Sequence, residues 1–75
     1  MITDRLRRVL NASDLREGPD GAIEARVDDV DRRYRDAIKS GATPLQPART
    51  ENDRRWAEVQ DASENGRLVR LWAPA

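Results

Sequence analysis

Ala22-Ile23-Glu24-Ala25-Arg26-Val27 runs directly into Asp28-Asp29-Val30-Asp31-Arg32-Arg33-Tyr34-Arg35-Asp36-Ala37-Ile38-Lys39-Ser40-Gly41, and the change of period between them sets the fold class. In the first stretch Ile23, Ala25 and Val27 alternate with Glu24 and Arg26, the two-residue period of a strand with one apolar face. In the second, Val30, Tyr34, Ala37 and Ile38 fall at i, i+4, i+7 and i+8, one stripe along a helix. Asp28 or Asp29 can accept the orphan N–H groups at the helix start. Asp31 stands four residues before Arg35, the favourable order for a surface pair. Lys39 complements the dipole in the last turn, and Gly41 can take the left-handed position that stops the chain. The spacing predicts a helix over about 29–40.

Downstream, three extended segments follow. Residues 42–48 contain Pro44 and Pro47, which cannot donate to a ladder, so this segment is an edge strand or a bulged one. Thr50-Glu51-Asn52-Asp53 reads as a turn. Residues 54–61 alternate again, with Ala57 and Val59 opposite Trp56, Glu58 and Gln60. Asn65-Gly66 is a hairpin signal. Residues 67–72 form the last strand, with Val69 and Leu71 opposite Leu68, Arg70 and Trp72, and Pro74 ends it. The order is βαβββ: an α+β fold with a curved, mostly antiparallel four-stranded sheet and one packed helix, spanning residues 19–75. Residues 1–18 are an extension and a loop. Ile2, Leu6, Val9 and Leu10 fit a helical stripe that Thr3 or Asp4 can cap, while Leu6 and Leu10 also fit a half-buried strand. Arg16-Glu17-Gly18-Pro19-Asp20-Gly21 reads as loop.

Composition narrows the chemistry. The 75 residues hold no cysteine and no histidine. That removes thiol chemistry, zinc knuckles and the commonest general base. Any metal would have to sit on oxygen ligands. Fourteen Lys and Arg balance 14 Asp and Glu, and the two signs are interleaved along the chain. A nucleic-acid binder would more often segregate its cations on one face. No apolar run approaches membrane-spanning length and no secretory signal is visible, so the expected location is the cytoplasm.

The strand periods divide the sheet into two faces. One collects Ile23, Ala25, Val27, Ala57, Val59, Val69 and Leu71, which the helix stripe can cover. The other collects Glu24, Arg26, Trp56, Glu58, Gln60, Leu68, Arg70 and Trp72. A plain solvent face seldom carries both tryptophans of a chain, so Glu24, Arg26, Trp56, Glu58, Arg70 and Trp72 are the candidate ligand-binding residues. Each also has an ordinary reading. Trp56 and Trp72 could stack on a flat ligand or fill an interface between two modules. Arg70 could bind an anion or bridge to Glu58 or Glu24. Glu24 and Glu58 could hold a metal, but with Arg26 and Arg70 beside them mutual neutralisation is the simpler account. Asp28, Asp29 and Asp31 fit a helix start better than a metal cluster, and the Arg pairs at 7–8, 32–33 and 54–55 fit a solvated charged face.

Val27-Asp28-Asp29-Val30-Asp31, Ala37-Ile38-Lys39-Ser40-Gly41-Ala42-Thr43-Pro44, Asp53-Arg54-Arg55, Val59-Gln60-Asp61 and Leu68-Val69-Arg70-Leu71-Trp72, in that order, resemble one module of the vicinal oxygen chelate superfamily. That is the glyoxalase, bleomycin-resistance and extradiol dioxygenase group. The resemblance covers residues 20–74. It implies half of a two-module domain, completed by a second chain whose curved sheet closes one pocket. It also implies a strand near residues 1–15. The family's metal enzymes take ligands at positions that match Ala22 and Arg70. Neither alanine nor a guanidinium ligates a divalent cation. The last hairpin, Asp61-Ala62-Ser63-Glu64-Asn65-Gly66, is longer than the family's and lacks its proline.

The resemblance implies a small-molecule-binding protein of sequestration type, without metal or other cofactor, acting as a homodimer with a shared cleft through edge-to-edge or swapped modules. The alternatives are a metal-dependent lyase, isomerase or dioxygenase with a relocated metal site using Glu24 and Glu58, and an orphan module that pairs with another protein. Nucleic-acid binding is the weakest reading.

Overall fold

The computed structural model describes residues 2–62 and 66–75. Seven elements follow one another: α1 (Asp4–Leu10), β1 (Asp14–Glu17), β2 (Ile23–Arg26), α2 (Val30–Lys39), β3 (Thr43–Glu51), β4 (Arg54–Gln60) and β5 (Leu68–Pro74). The five strands form one open sheet in the order β1-β2-β5-β4-β3. β2 and β5 are parallel at its centre, and the other neighbours are antiparallel. The fold is α+β, and β2-α2-β3-β4-β5 is the strand, helix and three strands read from the sequence.

The structure has two helices and five strands rather than one helix and four. In the N-terminal segment the helical stripe is met, and the strand alternative for Leu6 and Leu10 is not. Residues 4–10 are helical, capped by Thr3, whose hydroxyl accepts the Leu6 N–H at 3.3 Å. Residues 14–17 are a strand on the edge beside β2. Arg16 and Glu17 therefore belong to β1, and the loop begins at Gly18. Its turn is closed by Gly18 N–H donating to the Ala22 carbonyl at 2.7 Å and Ala22 N–H donating to the Asp20 carboxylate at 3.2 Å.

α2 is ended by a Schellman motif. Gly41 sits at φ 111°, its N–H donates to Ile38 O, and Ala42 N–H donates to Ala37 O, both at 3.0 Å. The two prolines of one segment are tolerated as expected: β3 is an edge strand with register irregularities between Pro44 and Gln46 and between Gln46 and Arg49. The turn after it is tighter than the sequence suggests. Thr50 and Glu51 are still paired strand, and only Asn52 and Asp53 turn, at φ 53° and 62°. Two consecutive positive φ values are the signature of a two-residue hairpin whose twist matches the strands. Asn65 of the second hairpin signal lies outside the described residues.

The core lies between the sheet and the two helices. Ala25, Ala57, Val59, Val69 and Leu71 from the strands meet Val30 and Ala37 from α2 and Ile2, Leu6 and Leu10 from the N-terminal segment. Leu10, Leu71, Val59 and Val69 are its largest fully buried side chains. Burying each contributes about 1.5–3 kcal/mol. Residues upstream of the βαβββ unit thus share its core.

Polar clips hold the layers in register. The Asp61 carboxylate, buried at the end of β4, accepts the Thr3 N–H at 2.8 Å and the Thr3 hydroxyl at 3.1 Å. Arg33 grips Asp28 through two bonds of 2.8 and 2.9 Å and donates to the Val9 carbonyl at the end of α1. Arg55 grips Asp31 through two bonds of 3.1 and 2.8 Å, tying β4 to the start of α2. Among the three acidic residues read as caps, Asp29 does cap the helix, accepting from Arg32 N–H. Asp31 lies in the first turn as read, and Asp28 and Asp31 are also ion-pair partners, so Arg33 and Arg55 are not simply solvated.

Candidate functional site

The face of the sheet away from the helices carries the charges and the indoles. Residues paired across strands point to the same side, so the register defines rows. One row runs Arg16, Glu24, Arg70, Glu58, Gln46 from β1 to β3. The next runs Asp14, Arg26, Trp72, Trp56, Arg49. All six residues singled out in the sequence, Glu24, Arg26, Trp56, Glu58, Arg70 and Trp72, lie in these two rows. The two-residue period places them together because each sits at even spacing on a regular strand.

Trp56 and Trp72 are directly opposite each other, with ring centroids 6.3 Å apart and planes tilted by 36°. The Trp56 indole N–H donates to the Glu51 carbonyl at 3.3 Å, fixing that ring. Two cations lie against Trp72: the guanidinium carbon of Arg54 at 4.2 Å and that of Arg26 at 5.3 Å from the ring centroid. Arg54 also stands 5.9 Å from the Trp56 ring. Neither Arg26 nor Arg54 has a carboxylate oxygen within the 4.0 Å of an ion pair among the described residues.

Arg70 occupies the centre of the other row. Its guanidinium reaches Glu58 at 3.5 Å, Glu24 at 3.6 Å and Asp20 at 3.4 Å. It therefore bridges both glutamates rather than one, and it stands between the two carboxylates that a relocated metal site would need. Among the described residues, no group of three or more carboxylates gathers in a way that could hold a metal ion. Ala22, at the other position where the resemblance expects a ligand, is a buried alanine. The Asp20 carboxyl is held below the usual range, first by the Ala22 N–H and then by Arg70.

Two depressions mark this face. One, of about 290 Å³, is lined by Asp14, Arg16, Glu24, Arg26, Arg54 and Trp72. The other, of about 240 Å³, is lined by Arg49, Glu51, Asn52, Trp56, Glu58 and Arg70. Arg49 donates to Glu51 at 3.3 Å through Nε, while its Nη1 is buried without a hydrogen-bond partner among the described residues.

Several contributors were missed in the sequence, among them Arg49 on the irregular edge strand β3 and Glu51 and Asn52 at its turn. Arg54 stands two residues before Trp56, so the same period would have found it. Asp14 and Arg16 lie on a four-residue edge strand with one apolar side chain, which leaves no readable alternation. Asp20 arrives from a loop.

No helix among the described residues is long and apolar enough to cross a membrane. No protein-family model matches the chain, and comparison with curated proteins and with solved structures finds no significant match.

Proposed function

We propose that this protein binds a small planar organic anion on the outer face of its sheet and acts by sequestration, in a cleft shared by two copies. The observation that carries the reading is the pair of guanidiniums, Arg26 and Arg54, resting on Trp72 without a carboxylate partner among the described residues. The other arginines of the five strands are spent on acids, as at Arg16 with Asp14 and Arg55 with Asp31. An indole face flanked by two uncommitted cations suits a ligand that offers a flat π-system and a carboxylate at once. The adjoining depression gives it room. The βαβββ order supports the likeness to a vicinal oxygen chelate module, and the Arg70 bridge between Glu24 and Glu58 favours binding over metal-dependent catalysis on this face.

The test is titration with 2-naphthoate, a planar aromatic carboxylate, followed by tryptophan quenching and by calorimetry. Saturable binding is expected. Arg54→Ala and Trp72→Leu should each weaken it at least about fivefold, in line with the loss of one cation–π or charge-assisted contact. Arg5→Ala, on the exposed side of α1, should leave it unchanged. Absence of saturation, or equal affinity in all three variants, rejects the reading.

A further inference from the structure

The signs along the outer face make it complementary to itself. We infer that its occupant is a second copy of this chain, packed sheet on sheet about a two-fold axis running along the strands between β2 and β5. This rests on the binding reading in one respect: the 290 Å³ depression of each copy then faces mainly the residues that line the partner's 240 Å³ depression, so each cleft is lined by both copies.

A two-fold axis parallel to the strands keeps every row opposite the same row and reverses its order. Across β1, β2, β5 and β4 the first row reads Arg16, Glu24, Arg70, Glu58, with alternating sign. Reversed about the midpoint between β2 and β5, Glu24 meets the partner's Arg70 and Arg16 meets the partner's Glu58. The reciprocal contacts follow by symmetry. In the second row Arg26 meets the partner's Trp72, repeating across the interface the cation–π contact it makes within the chain. Asp14 meets the partner's Trp56. Within these two rows no like charges are set opposite each other; Arg54, which lies on Trp72, comes beside the partner's Arg26, and those cations are left for the anionic ligand.

Neighbouring positions of the axis fail. On β5 it sets Arg70 against the partner's Arg70 and Glu24 against the partner's Glu58. Between β5 and β4 it sets Arg26 against the partner's Arg49. On β2 it sets Glu24 against the partner's Glu24. Between β1 and β2 it leaves both indoles uncovered. Facing sheets stand about 10 Å apart, a gap that opposed arginine and glutamate side chains span.

Arg70 is also available for such contacts. Its three intrachain approaches, at 3.4, 3.5 and 3.6 Å, are long for charge-assisted bonds, whereas Arg33 and Arg55 make bonds of 2.8 Å. Its charge is balanced but its donors are not saturated.

The decisive experiment mixes two variants, Glu24→Arg and Arg70→Glu, and reads mass by light scattering and native mass spectrometry. Wild type is expected as a dimer near twice 8.5 kDa. Each variant alone places like charges opposite each other at two symmetric contacts and should dimerise about a hundredfold more weakly. In the equimolar mixture both interchain contacts are again of opposite sign, so a heterodimer should form with a Kd within about tenfold of wild type. The intrachain Glu24–Arg70 pair is broken in both chains, so recovery in the mixture reports an interchain contact only. Arg16→Glu, whose side chain is 76% exposed, keeps the test independent of folding at the two inner sites. It should weaken the dimer about tenfold through the partner's Glu58. A folded wild-type monomer at micromolar concentration overturns the inference, as does a mixture that stays monomeric or an Arg16→Glu dimer of unchanged affinity. The 2-naphthoate titration is read separately: binding by a monomer removes this inference and the shared cleft but keeps the planar-anion site on Trp72, while a dimer that ignores 2-naphthoate keeps this inference and removes that site.

Discussion

The guanidinium of Arg54 stands closer to Trp72, on the neighbouring strand β5 and two residues from its own register partner Pro74, than to Trp56 on its own strand: 4.2 against 5.9 Å from the ring centroids. One cation thus spans both indoles. Arg54→Ala should lower stability by only about 0.5–1 kcal/mol, the worth of an exposed cation–π contact, measured by urea unfolding. It should also shift the tryptophan emission, because both rings lose the same neighbour. A loss several times larger would mean that Arg54 holds the hairpin rather than the rings.

Acid sensitivity follows from the helix-start ion pairs. Arg33, hydrogen-bonded to Asp28, lowers that carboxyl from 3.8 to about 2. The folded pKa lies below the unfolded one, so the stabilisation is complete above pH 3.8 and disappears as the pH falls through about 2. Asp31, held down by Arg55, shifts in the same direction. Asp28→Asn should therefore flatten the fall of Tm across that window. Because Asp28 is exposed, molar salt should shrink the difference between the two proteins. An unchanged acid limb in Asp28→Asn would show that the pair does not persist in solution.

Asp61→Ala should cost about 2–3 kcal/mol, since it removes a buried acceptor and leaves the Thr3 N–H and hydroxyl without their partner. Amide exchange should rise first in α1, where Thr3 caps the Leu6 N–H. Loss of protection spread evenly over β4 and β5 would contradict the clip.

That clip also marks where sequence reading stops. The period of Ile2, Leu6, Val9 and Leu10 shows an amphipathic element, but its docking depends on Asp61, 58 residues away from Thr3. Nothing local in Val59-Gln60-Asp61 announces it. β1 is hidden for a different reason: Asp14-Leu15-Arg16-Glu17 has one apolar residue, and the Gly18-Pro19 that follows dominates the local signal. The outer face was more legible. Trp56, Glu58, Arg70 and Trp72 sit on regular strands without bulges, so alternation alone brings them together. The bulged β3, which supplies Arg49, offers no such period.

Two turn substitutions should move stability in opposite directions. Gly41→Ala places a side chain at φ 111° with only ordinary contact to Ala62, so its cost of about 1–2 kcal/mol is conformational. Asp53→Gly relieves a positive φ of 62° in the two-residue hairpin and makes the favoured Asn-Gly pair, which should stabilise by about 0.5–1 kcal/mol. Thermal melts of the two variants check both signs. A destabilised Asp53→Gly would mean that the Asp53 side chain contributes more than its backbone strain costs.

The middle of the sheet belongs to β5, the seventh element in chain order. As the polypeptide emerges during synthesis, the β1–β2 and β3–β4 hairpins can each close from local contacts. They remain two separate ribbons, each with an unfilled inner edge, until residues 68–74 slot between them. Assembly of the sheet is therefore gated by the arrival of one strand, and until then both open edges are exposed to other nascent chains.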